Sequence, residues 1–207
     1  MKKCKLDEQE FMKKIMNGER DFTDITGRNW DLPQHFEEYK AFLDYLNSQE
    51  FKDNPLILNN AVISGSNIGR VCIPYAKFLG ANLRKANLQG ANLKKANLEE
   101  ANLGKACFFG AYLGEANMRN SYLGGTDLEQ AYLVKANLEG AYIGGAILRR
   151  TNLSKTNLKN VQDLERAIKM EEANIKEAIM TPKEKTIIEE IMLHKSSNPV
   201  RESKKVI

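Results

Sequence analysis

Ala81-Asn82-Leu83-Arg84-Lys85, Ala86-Asn87-Leu88-Gln89-Gly90, Ala91-Asn92-Leu93-Lys94-Lys95 and Ala96-Asn97-Leu98-Glu99-Glu100 repeat one five-residue unit four times. Followed outward, the period runs from Leu56 to Asn160 without a slip, so 105 residues divide into 21 units. The third position holds Leu83, Leu88, Leu93, Leu98, Leu103, Phe108, Leu113, Met118, Leu123, Leu128, Leu133 and Leu138 through the middle of the run. It is large and apolar in the other units as well. The first position is Ala, Ser or Thr, with Leu56 and Val71 as exceptions.

No α-helix can use this pattern. Five steps of about 100° turn each leucine about 140° from the last and scatter them around the cylinder. A flat strand fails too, because side chains alternate with period two and successive leucines would face opposite sides. The backbone must turn once per unit, with the first and third residues inward and the last two in the turn. Glycines at the fourth and fifth places, Gly80, Gly90, Gly104, Gly110, Gly114, Gly124, Gly125, Gly140, Gly144 and Gly145, suit turns that require a positive φ.

The Ala-Asn-Leu-x-x text resembles that of the pentapeptide-repeat proteins, over about half of the chain. The resemblance implies an all-β solenoid, a right-handed quadrilateral β-helix in which four units make one coil. The run then makes a little over five coils, a rod about 25 Å long at the inter-strand spacing.

Residues 20 apart should therefore stack. One face carries Leu58, Phe78, Leu98, Met118, Leu138 and Leu158 inside, with Asn97, Asn117, Asn137 and Asn157 as a ladder able to bond turn backbone and each other. Glu99, Arg119, Glu139 and Lys159 alternate in sign beside it, as stabilising surface chemistry. Tyr112 should stack on Tyr132 and Tyr122 on Tyr142, on opposite faces; these four tyrosines are candidate interface residues. Gly104, Gly124, Gly125, Gly144 and Gly145 leave the surroundings of Tyr122 and Tyr142 flat and almost uncharged. Lys94, Lys95, Lys135 and Lys155 share a corner with Glu115, whereas Arg84, Lys85 and Lys105 lie on the opposite corner.

An open solenoid exposes core at both ends, so caps are expected. Residues 1–55 form a mainly helical N-terminal capping region. Phe36, Tyr39, Phe42, Leu43 and Leu46 have helical spacing after Leu32-Pro33, and Phe11 with Ile15 marks a shorter helix. Residues 20–26 read as a degraded coil fragment. After the rod at 56–160 come an imperfect final coil at 161–180, with Val161, Leu164, Ala167, Ile168, Ala173 and Ile175 turned inward, and a capping helix at 181–195. Thr181-Pro182-Lys183-Glu184 opens that helix as a capping box, with Ile187, Ile188, Ile191 and Met192 on one side. A disordered tail is expected over 196–207. Self-capping by the helix, and hence a monomer, is favoured over a dimer formed through it.

The chain of 207 residues is 42% apolar, which argues against disorder, and no apolar run reaches the roughly 18 residues of a membrane span. Three cysteines without metal-ligand spacing, and a start that turns acidic at Asp7-Glu8, point to a reducing cytoplasm. His35 and His194 stand apart, and no phosphate loop, nucleophile elbow or zinc cluster occurs. Catalytic residues, cofactors and metals are therefore not expected, and neither is an enzyme. Residues 56–160 hold 13 Lys and Arg against 6 Asp and Glu. Members of the resembled family that act on DNA gyrase as duplex mimics call for an acidic rod, so a gyrase-modulating role of the quinolone-resistance type is disfavoured. Binding of nucleic acid or an anionic surface through the basic corners is the other alternative, weakened because the positive charge is split. The favoured reading is a non-enzymatic interaction or scaffold protein with a protein partner.

Overall fold

The computed structural model describes residues 6–27, 29–30, 36–47 and 52–197. Second-position residues pair in parallel with their counterparts one coil on, along four ladders. One runs Asn82, Asn102, Tyr122, Tyr142; the others run Asn87, Cys107, Asp127, Ile147, then Asn92, Tyr112, Tyr132, Asn152, then Asn97, Asn117, Asn137, Asn157. Each coil thus closes after four units and lies in register on the next. The pairing is by isolated bridges, one on each side of the coil. The result is a β-helix solenoid.

The five-residue unit is explained by where its five N–H groups go. Over one period, residues 82–86, Asn82 donates to the Ala61 carbonyl of the coil below and Leu83 to the Asn102 carbonyl of the coil above, each at 2.8 Å. Lys85 donates upward to Gly104 at 3.0 Å, and Ala86 closes the turn onto Leu83 at 2.9 Å. The remaining N–H, that of Arg84, donates to Asn82 Oδ1 at 3.1 Å. Asparagine at the second place is thus the side chain that completes the set, as an Asx turn. The same bond recurs at Asn87, Asn92, Asn97 and Asn102.

Inside, the first- and third-position side chains form one continuous core, and residues such as Leu83, Leu103, Phe108 and Met118 are wholly buried. Where the first residue is Thr, its hydroxyl donates to a carbonyl of the coil below, as Thr126 does to Leu103 at 2.8 Å. The fifth residue of every unit from Asn60 to Asn160 has a positive φ, between 53° and 73°. This corrects the expectation for glycine. The left-handed conformation belongs to the fifth place alone, where Lys, Glu and Asn also adopt it, and Gly104, Gly114, Gly124 and Gly144 at the fourth place do not share it.

Helix α1 (Glu8–Met16) begins on an Asp7 cap that accepts from Glu10 N–H at 2.8 Å, and buries Phe11, Met12 and Ile15. The chain then enters the solenoid: Asp21 bridges Ile57 and Thr26 bridges Val62. Trp30 continues this segment, its carbonyl accepting from Asn67 N–H, so the coil residues extend beyond 26. Phe11 packs on Trp30 and, edge-on, on Phe22, with ring centroids 4.6 and 5.0 Å apart. Helix α2 (Phe36–Asn47) then interrupts the coil, burying Phe42 and Leu46 before the rod resumes near Leu56. Leu32, Pro33 and His35 lie outside the described residues.

At the far end the period breaks. Ile147 pairs with Ile168, Asn152 with Asn174 and Asn157 with Ile179, so the coil outgrows its four units, by one residue at the first of these pairs and by two at the others. Two short 3₁₀ turns, Leu164–Arg166 and Met170–Glu172, absorb the additional residues. The shift moves Ile168 to an outward bridge position, where it is 47% exposed rather than inward; Met170 is buried in the core instead. Helix α3 runs Pro182–Ser197, two residues beyond the expected end and into the expected tail, and residues 198–207 lie outside the described residues. Its Ile188 is buried, with Ile187, Ile191 and Met192 packed against the same core.

Candidate interaction surface

Tyr122 and Tyr142 stand at second positions of adjacent coils, so the ladder spacing brings their rings together. The centroids are 4.9 Å apart and the planes differ by 6°. Tyr142 Oη donates to Asp163 Oδ2 at 2.9 Å, and Asp163 also accepts from Arg166 at 3.1 Å. That bond to the Asp163 carboxylate, with burial and the adjacent negative charge, holds the Tyr142 phenol above its usual pKa. The outer ring, Tyr122, is 48% exposed.

The fourth-position glycines form the floor under these rings. A Cβ at Gly104 would lie 2.9 Å from Tyr122 Cε1, one at Gly144 2.6 Å from Tyr142 Oη, and one at Gly124 would collide with the Tyr122 ring. Glycine is there to let an aromatic side chain lie down against the backbone. The sequence pattern marks the tyrosines and glycines but not Asp163, which sits where the period breaks. Its signal is a carboxylate placed one coil and one further residue beyond an outward tyrosine.

On the opposite face Tyr112 and Tyr132 stack at 5.4 Å with 30° between planes, and Tyr112 is 57% exposed. The adjoining corner is a column in which Lys95 lies over the Tyr75 ring at 5.6 Å and pairs with Glu115 at 3.5 Å, while Lys155 pairs with Glu177 at 3.4 Å. Lys94 and Lys135 belong to the same corner. Glu99 and Glu139 accept from the Asn117 and Asn157 amides at 3.0 and 3.3 Å. These bonds tie the separate Glu99, Arg119, Glu139, Lys159 column to the asparagine ladder.

The twelve central third-position residues, Leu83 to Leu138, are all buried and take no part in the surface. Among the described residues no group of three or more His, Cys, Asp or Glu is placed to hold a metal ion. Among them, too, no helix is long and apolar enough to cross a membrane. His35 lies outside the described residues, and His194 is in α3.

A family model described as pentapeptide repeats matches residues 76–114, 111–150 and 133–181, which together span half of the chain. The chain belongs to the pentapeptide repeat family. Solved pentapeptide-repeat neighbours include HetL of Nostoc, involved in heterocyst differentiation regulation, at 18% identity over 84% of this chain and 94% of that one, with a TM-score of 0.24. A pentapeptide repeat protein of the Arabidopsis thaliana thylakoid lumen is 27% identical over 50% of this chain and 69% of its own, with a TM-score of 0.28. QnrB1, a plasmid-mediated fluoroquinolone resistance protein, is 13% identical over 83% of this chain and 82% of its own, with a TM-score of 0.43. No curated protein matches the chain. The matching family model indicates no catalytic family, and a core filled by third-position side chains leaves the outer faces as the surfaces on which function can be written.

Proposed function

We propose that this pentapeptide repeat protein is a non-enzymatic interaction or scaffold protein that presents faces of its solenoid to a protein partner. The observation that carries the reading is the Tyr122–Tyr142 stack. An asparagine at either place would supply the acceptor for the fourth N–H of the unit, which a tyrosine ring cannot do. The two coils thus forgo a hydrogen bond each, about 1 kcal/mol apiece, and expose an aromatic edge. The rings are also held in advance by Asp163 and the glycine floor, so little side-chain freedom is lost when a partner covers them.

The finer architecture belongs to the same proposal. It is a right-handed quadrilateral β-helix at 56–160, with a helical cap within 1–55, an imperfect last coil at 161–180 and a capping helix from 181. Four ladders and the burial of Ile188 support it. The free thiols Cys72 and Cys107 suit a reducing cytoplasm. Nucleic acid is the weaker partner, since Lys95 and Lys155 are already paired with Glu115 and Glu177.

The test is capture from the native host at two salt concentrations with the parent and with Tyr122→Ser/Tyr142→Ser. A protein held at high salt by the parent and lost from the variant is the expected result. Binding that vanishes with salt and survives in the variant would transfer the function to the basic corners.

A further inference from the structure

The tyrosine face does not end at Tyr142. Its hydroxyl is bonded to Asp163, and Asp163 is also on the wall of an open groove of about 750 Å³ between the last coil and α3. The apolar lining residues of the groove are Val161, Ile187 and Ile191. Four carboxylates line it, Asp163, Glu165, Glu184 and Glu190, against a single lining cation, Lys183. Asp163 is paired with Arg166, and Glu184 is buried in its bonds to Asn160 and Thr181, which leaves Glu165 and Glu190 as the open acidic groups. Among the described residues Glu165 and Glu190 have no ion-pair partner, and both are exposed. An acidic groove at the end of a rod that carries 13 basic against 6 acidic residues is a local inversion of charge.

We infer that this groove docks a basic segment of the partner protein: one or two aliphatic or aromatic side chains enter between Val161, Ile187 and Ile191, and Lys or Arg side chains meet Glu165 and Glu190. The inference rests on the protein-interface reading of the tyrosine face and specifies the partner's chemistry. Charge complementarity selects the occupant. A phosphate backbone or an anionic membrane brought to the same place would face the unpaired Glu165 and Glu190, and an acidic peptide would be repelled likewise. A basic segment gains from them, and the flat side of an arginine can also stack on the adjoining tyrosines. The groove gives affinity through its apolar lining, and its two open glutamates give the choice of partner.

The experiment is selection of a displayed random dodecapeptide library on the immobilised full-length protein. The peptides recovered are then measured against Glu165→Arg/Glu190→Arg and against Tyr122→Ser. Both glutamates are exposed, and an unchanged thermal melt verifies that the variant is folded. The expected peptides combine Lys or Arg with aliphatic or aromatic residues and bind the charge-reversed variant at least tenfold more weakly. Selected peptides that are acidic, or that bind the reversed variant equally well, would overturn the groove. If they nevertheless lose binding to Tyr122→Ser, the tyrosine face stands without it, and indifference to both variants removes both readings. A third arm replaces Arg201, Lys204 and Lys205 with Glu in the full chain. Tighter peptide binding there would mean that the chain's own end is the occupant, which also overturns the inference.

Discussion

The Glu184 carboxylate of α3 accepts a hydrogen bond from the backbone N–H of Asn160, 3.2 Å away, at the last regular corner of the coil. The same carboxylate accepts from the Thr181 N–H at 2.7 Å and from the Thr181 hydroxyl. One side chain therefore starts the helix and fastens it to the end of the rod, and it is buried while doing so.

Burial pushes the Glu184 pKa up, but the bonds from Thr181 and Asn160 outweigh it and hold the group below its ordinary value of 4.5. A depressed folded-state pKa contributes stability above the unfolded value, and that contribution is lost as the pH falls through the folded one. Glu184→Gln should cost about 1–2 kcal/mol at neutral pH. The difference from the parent should shrink once the pH drops below about 5. Urea unfolding across that range checks both.

Leu103 is wholly buried in the middle of the stack, where the coils above and below prevent collapse. Leu103→Ala should cost about 2–5 kcal/mol. A loss within error in a urea melt would contradict the continuous core.

Gly124 and Gly125 are neighbours with different duties. Gly124→Ala should cost about 1–2 kcal/mol by driving its methyl into Tyr122, and most of that should disappear in a Tyr122→Ser background. Gly125 has a φ of 67°, so Gly125→Ala should cost about 1 kcal/mol whether or not the ring is there. A double-mutant cycle in urea separates the two.

The basic rod lacks the acidic surface of a duplex mimic. Purified protein is expected neither to inhibit DNA gyrase nor to protect it from quinolones in a supercoiling assay, and clear activity in either direction would reverse the reading of the charge.

Removing residues 181–207 uncovers Met170 and Leu164, the core residues next to α3. The parent is expected to be a monomer by light scattering, and the truncated chain less stable and inclined to end-to-end association. A parent dimer that falls to a soluble monomer would show instead that the helix serves a two-fold interface.

The sequence by itself determined the coil. A period of five with a large apolar third residue has no solution as helix or strand, and each unit solves the same local problem, so Leu83 through Leu138 and the tyrosine pairs can be assigned by counting in twenties. The reason is that in a solenoid every residue contacts its own unit and the ones a coil away, and both are written in the period. Tertiary structure decided what the period does not reach. Residues after 160 could be placed only by seeing where the core accepts a side chain, which turned Ile168 out and Met170 in. The fourth-position glycines look like turn residues until the rings of Tyr122 and Tyr142 are seen lying on them. Asp163, Glu165, Ile187 and Glu190 come together because α3 folds back onto the coil end, a contact fixed by the fit of Ile188 and the Glu184–Asn160 bond and by no spacing along the chain.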